Sequence, residues 1–116
     1  MVFDRNKNFE FIKSELPPIG IIKYLAESKV KSKTINLNEK TFVVYTDGVT
    51  EGYIKNGQEL GAEGVERIVK GLDVVTPKNI VDSIAAELNW GADKLRDDIT
   101  CLVLDLKNTE LIKLKK

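Results

Sequence analysis

Two short acidic motifs carry the residues that could do chemistry: Tyr45-Thr46-Asp47-Gly48-Val49-Thr50-Glu51 and Asp97-Asp98-Ile99-Thr100. Each sets a carboxylate against an apolar, β-prone run, residues 41–46 in the first case and residues 99–106 in the second. A strand end is rigid, so a carboxylate there can be held to the tolerance that a small hard cation demands. The chain has no His and one Cys. Zinc sites built on imidazole or thiolate are therefore nearly excluded, and an oxygen-only site for Mg²⁺, Mn²⁺ or Ca²⁺ is the remaining metal option. Asp-Gly alone is a weak signal, since it is also the commonest turn dipeptide, and Asp-Asp alone is no stronger. The conjunction is informative. Two such strands lying side by side would bring Asp47 and Asp97 to one edge of a sheet, where unpaired carboxylates repel and a divalent cation relieves the repulsion. The residues point to divalent-metal phosphate chemistry.

These carboxylates need a scaffold, and 116 residues (13.0 kDa) suffice for one domain, residues 1–116, with its own core. With 42% hydrophobic and 31% charged residues the composition is that of a folding chain. Eighteen basic residues balance eighteen acidic ones, so no global field draws the protein to nucleic acid or to an anionic membrane. Cys101 lies inside an apolar run and reads as a small buried hydrophobe. The absence of a second Cys fits a reducing cytoplasm. No stretch reaches the roughly 20 apolar residues that span a bilayer, and Met1-Val2-Phe3-Asp4 lacks the features of a signal peptide. A cytoplasmic location is expected.

Val2-Phe3 and Phe9-Glu10-Phe11-Ile12 flank Asn6-Lys7-Asn8, the pattern of a β-hairpin. Pro17-Pro18 makes residues 16–20 an extended loop. Alternation over residues 29–37, with Lys29, Lys31 and Lys33 on one side, predicts a strand with a solvated face. Asn38-Glu39-Lys40 turns the chain into residues 41–46, a β-branched and aromatic run read as a central strand that delivers Asp47 at its end. Val65, Ile68, Val69 and Leu72 form the stripe of a first helix. A second begins with Thr76 as N-cap and Pro77 at the first helical position, and its stripe is Ile80, Val81, Ile84, Ala85 and Leu88. Gly91 is placed to close that helix, with Trp90 packing at its end. Residues 99–106 predict a strand buried on both faces, and residues 111–114 a last short strand.

The order of these landmarks resembles that of the metal-dependent (PPM) protein phosphatases, in the bacterial branch like stage II sporulation protein E. Leu16-Pro17-Pro18-Ile19-Gly20-Ile21 is similar to the family's "L-P-x-G" segment, and residues 42–51 to its "YTDGVTE" motif. Gln58-Glu59-Leu60-Gly61 resembles "GE-x-F-G", and Asp97-Asp98-Ile99-Thr100 matches "DDIT". The resemblance implies an α+β fold, a β-sandwich of antiparallel sheets flanked by helices, of which this chain would hold the C-terminal portion. It implies hydrolysis of phosphoserine or phosphothreonine in a signalling protein, in bacterial partner-switching, with two Mn²⁺ or Mg²⁺ ions. By the same resemblance Asp47 and Asp97 are metal ligands, Gly48 keeps the backbone close to the site, and Asp98 is a secondary, hydrogen-bonding residue.

The family's "G-D-x-x-D" and "D-G-x-G-H-G" segments, which supply further metal ligands, have no counterpart here. The chain is accordingly expected to be a fragment or a degenerate relative, and poorly active alone. A sandwich lacking strands exposes apolar faces, so a homodimer or strand-swapped assembly is also expected. The alternative reading is a non-catalytic interaction module that keeps the fold. A further one is an unrelated α/β domain in which both motifs are turns and caps.

Overall fold

The computed structural model describes residues 1–13, 20–21, 23–24, 32–89 and 98–106. The expected hairpin opens the chain: β1 (Val2–Phe3) pairs antiparallel with β2 (Phe9–Glu10), Val2 opposite Glu10 and Phe3 opposite Phe9. Asp4 holds its turn, its carboxylate accepting the main-chain N–H groups of Asn6 (2.8 Å) and Asn8 (3.0 Å) and the Asn8 side-chain amide (2.9 Å). The bonds from Asn8, its side chain first, hold the Asp4 carboxyl below its usual range. Lys7 takes a left-handed φ of 58° in this turn, and its ammonium donates to the carbonyls of Lys70 (2.8 Å) and Leu72 (2.9 Å). The hairpin tip thereby caps the C-terminal end of a distant helix, where unsatisfied carbonyls favour a cation.

β3 (Thr41–Tyr45) and β4 (Cys101–Asp105) complete a four-stranded antiparallel sheet of order β2-β1-β3-β4. β3 is central, as its β-branched and aromatic composition predicts. After it come a single helical turn, α1 (Asp47–Thr50), and two longer helices, α2 (Gly61–Gly71) and α3 (Pro77–Asn89). Gly61 enters α2 with φ +68°, a conformation that favours glycine. At α3 the Thr76 hydroxyl accepts the Asn79 N–H at 3.1 Å and Pro77 is the first helical residue, the N-cap arrangement read from the sequence. Both helices cover one face of the sheet. Phe3 and Val43 from the strands meet Val65, Ile68 and Val69 of α2 and Ile80, Ile84 and Leu88 of α3 in one core. The fold is α+β, with a single sheet among the described residues.

Several expectations are corrected. Residues 32–37 form no strand; Lys33 pairs with Glu10, and the Asn36 side chain accepts the Asn38 N–H at 2.9 Å in a local turn. The only apolar residues of this stretch, Ile35 and Leu37, share a side with Lys33 and are half-buried, which is too little apolar surface on one face to seat a strand. Residues 29–31 lie outside the described residues. β4 is not buried on both faces: Leu102 is 54% and Leu104 42% exposed, and among the described residues α3 packs on its other side. In α3 the buried stripe is Ile80, Ile84 and Leu88, while Val81 and Ala85 are exposed; positions i, i+4 and i+8 fill the contact and the next residue round points away. The readings of Pro17-Pro18, Trp90, Gly91 and residues 111–114 fall outside the described residues.

Candidate metal centre

The register of β3 against β4 decides which residues share the sheet edge. Tyr45 stands opposite Cys101, so the residue after β3 faces those before β4. That residue is Thr46. Its main-chain N–H donates to the Thr100 carbonyl at 3.0 Å, its hydroxyl donates to the Asp98 carbonyl at 3.1 Å, and the same hydroxyl accepts the Thr100 N–H at 3.1 Å. Thr46 is thus a three-bond clamp holding the two acidic motifs side by side. It occupies the N-cap position of α1 in extended conformation (φ −85°, ψ 166°) yet makes no side-chain cap bond, since its hydroxyl is committed across the strands.

Asp47 follows the clamp as the first residue of α1 and is exposed. Its carbonyl accepts the Glu51 N–H at 2.8 Å and the Thr50 hydroxyl at 3.3 Å, so the turn that carries it is fixed by local bonds. Gly48 and Val49 are buried beneath it, Val49 completely. The turn is wedged tightly: a Cβ built on Gly52 would lie 2.9 Å from the Gly48 carbonyl oxygen and 2.5 Å from Leu88 of α3. The Leu60 N–H donates to the Gly52 carbonyl at 2.8 Å, tying α1 to the start of α2. Asp-Gly here opens a helical turn after a strand; it is not a two-residue hairpin turn.

Of the site residues read from the sequence, the structure places Asp47 and Gly48 at the end of β3 and Asp98 across from Thr46. Asp97 lies outside the described residues. Thr46 is the residue that sequence reading passed over; its signal was a polar β-branched residue immediately before an acidic one at a strand end. Among the described residues no three His, Cys, Asp or Glu gather into a group that could hold a metal ion. The donors present are of the right kind, carboxylate oxygens without imidazole, and burial pushes the Cys101 thiol up, which disfavours a thiolate ligand. Such oxygens are the donor type that a hard cation takes.

Asp47 also lines a cleft of about 590 Å³, together with Lys13, Thr50 and the apolar residues Phe11, Phe42 and Val44. Its size is that of a small-molecule site. No helix among the described residues is long and apolar enough to cross a membrane.

Comparison with curated proteins and with solved structures gives no match. The sequence model of the family described as stage II sporulation protein E (SpoIIE) matches residues 1–107. That family is generally one of phosphatases. A match over nearly the whole chain, including both acidic motifs, shows that this chain belongs to the stage II sporulation protein E family.

Proposed function

We propose that the chain carries one wall of a metal-dependent site that hydrolyses phosphoserine or phosphothreonine in a signalling protein of the partner-switching type, an antagonist of an anti-sigma factor. The observation that carries this reading is the Thr46 clamp, which fixes Asp47 beside residues 98–100 at the sheet edge. Asp47 and Asp97 would hold Mn²⁺ or Mg²⁺, Gly48 would keep the backbone low beneath the ion, and Asp98 would support the ligands. When bound, the ions supply charge neutralisation at the phosphoryl oxygens and a water of lowered pKa. The protein's part is positioning. α1 holds the exposed Asp47 at the end of β3, and the buried Val49 anchors the turn.

The chain has no counterpart of the family's "G-D-x-x-D" and "D-G-x-G-H-G" segments, which favours a second reading of it by itself: a module that keeps the fold and binds a signalling partner without turnover. One experiment separates the two. Amide spectra of the chain are recorded with added Mn²⁺, alongside its hydrolysis of an aryl phosphate. The proposal expects paramagnetic broadening centred on residues 46–50 and 98–100 that disappears in Asp47→Asn, with slow or no turnover. Broadening elsewhere, or none, overturns the metal site; turnover equal to that of an intact relative overturns the expectation of a poorly active chain.

A further inference from the structure

Deepening the proposed reading, on which it rests, we infer that Lys13 is a substrate-positioning residue whose ammonium holds the phosphoryl group of the substrate over Asp47. Lys13 follows β2 and lines the same cleft as Asp47 and Thr50, although it is far from them in sequence. A phosphoserine carries about −1.5 to −2 charges at neutral pH and three strong acceptor oxygens. The Asp47 carboxylate would repel such a group until a cation was bound, and the Met1 α-ammonium on the same cleft wall is already spent on the Val43 carbonyl at 2.9 Å. Lys13 supplies the missing opposite charge on the cleft wall, and a flexible ammonium is a competent point-charge partner for phosphate.

Four other cations are committed elsewhere. Lys33 pairs with Glu10, Arg5 with Glu39 and Lys70 with Glu66, and Lys7 is spent on the carbonyls of Lys70 and Leu72. Lys13 makes no ion pair with a described residue. Its neighbours in the cleft, Phe11, Phe42 and Val44, are apolar and offer its ammonium no competing partner.

The main chain adds a second donor. Val43 exchanges both of its hydrogen bonds on the β1 side with Met1, at 2.9 and 2.8 Å. Two residues on, in an antiparallel ladder, the N–H and C=O of Tyr45 face the same way, past the start of β1. There they border the cleft that Tyr45 lines, without a main-chain partner among the described residues. A phosphorylated residue seated between Lys13 and the Tyr45 N–H would present its phosphorus toward Asp47.

The test is a titration of the metal-free chain with inorganic phosphate and with phosphoserine, followed by amide chemical shifts. Shifts are expected at residues 11–13 and 45–50. Lys13→Gln should weaken binding about three- to tenfold, the range for losing one charged hydrogen bond on a partly exposed wall, and Lys13→Arg should restore it. Asp47→Asn should leave metal-free phosphate binding intact or tighter, because it removes a repelling charge, while abolishing Mn²⁺ broadening. Failure of the metal site and failure of this inference are therefore read separately. Shifts confined to other residues, or an unchanged affinity in Lys13→Gln, would overturn the role of Lys13.

Discussion

Val43 and Val44 are neighbours of one type in one strand, yet the first is fully buried and the second 44% exposed. The contrast extends across β3 and β4. On the inner face Val43, Tyr45, Cys101 and Val103 pack toward α2 and α3, with Phe3 beside them on β1. On the outer face Val44 lies opposite Leu102 and Phe42 opposite Leu104, and both leucines stand largely in solvent. Among the described residues that face is closed on the β1 side, where Val2 is buried and Glu10 pairs with Lys33. The two faces are almost equally apolar in composition. What differs is the presence of a covering layer, so burial here records which neighbours the fold supplies rather than the hydrophobicity of the strand.

Truncation separates the two faces most sharply. Phe3→Ala, at a site 1% exposed, is expected to cost about 3–5 kcal/mol through lost transfer energy and the cavity left behind. Leu102→Ala should cost less than about 1 kcal/mol, since half of the side chain is already in water. Urea melts of the two variants measure the difference; equal costs would mean that the outer face is covered in solution. The homodimer expected from the sequence would use that face and gives a second, smaller effect. A light-scattering mass of two chains should fall to one in Leu102→Lys, and a monomeric mass at every concentration excludes the assembly.

The smallest effect concerns titration on the inner face. Burial pushes the Cys101 thiol above its ordinary 9.0 and, as the largest cause, the Tyr45 phenol above 10.0. A folded-state pKa raised in this way favours the neutral form, so its contribution to stability is fully present below the unfolded value and is lost as pH rises through the folded one. Stability should therefore decline above about pH 9. Cys101→Val should flatten the first part of that decline, and identical alkaline melts for the two proteins would show that the inner face near Cys101 is wet.

The elements that sequence reading recovered are those with strong local grammar. The hairpin declared itself by two aromatic runs about a polar turn, β3 by its β-branched run, and α3 by Thr76 and Pro77 at its start. Residues 32–37 failed because their alternation mimics the strand period while setting only Ile35 and Leu37, beside Lys33, on the side that a sheet would have to bury. The one-sided exposure of β4 was illegible for a related reason, since an apolar run does not say how many layers cover it. The place of Asp47 at the end of β3 was legible because Asp-Gly after a β-branched run is a local pattern. The cross-strand bonds of Thr46 and the approach of Lys13 to the same cleft are products of register and of chain path, and no local pattern encodes them.

The sequence by itself determined the donor chemistry of this protein. A chain without histidine and with one thiol can offer a metal little but carboxylate oxygens, and its two acidic motifs with their apolar runs fix its family. Only the tertiary structure decided which residues stand together. The β3–β4 register sets Thr46 against residues 98–100, and the return of the chain after β2 brings Lys13 to the cleft of Asp47. It also decided which apolar face is core, because burial depends on the packing of α2 and α3 across the sheet, a contact between residues distant in sequence.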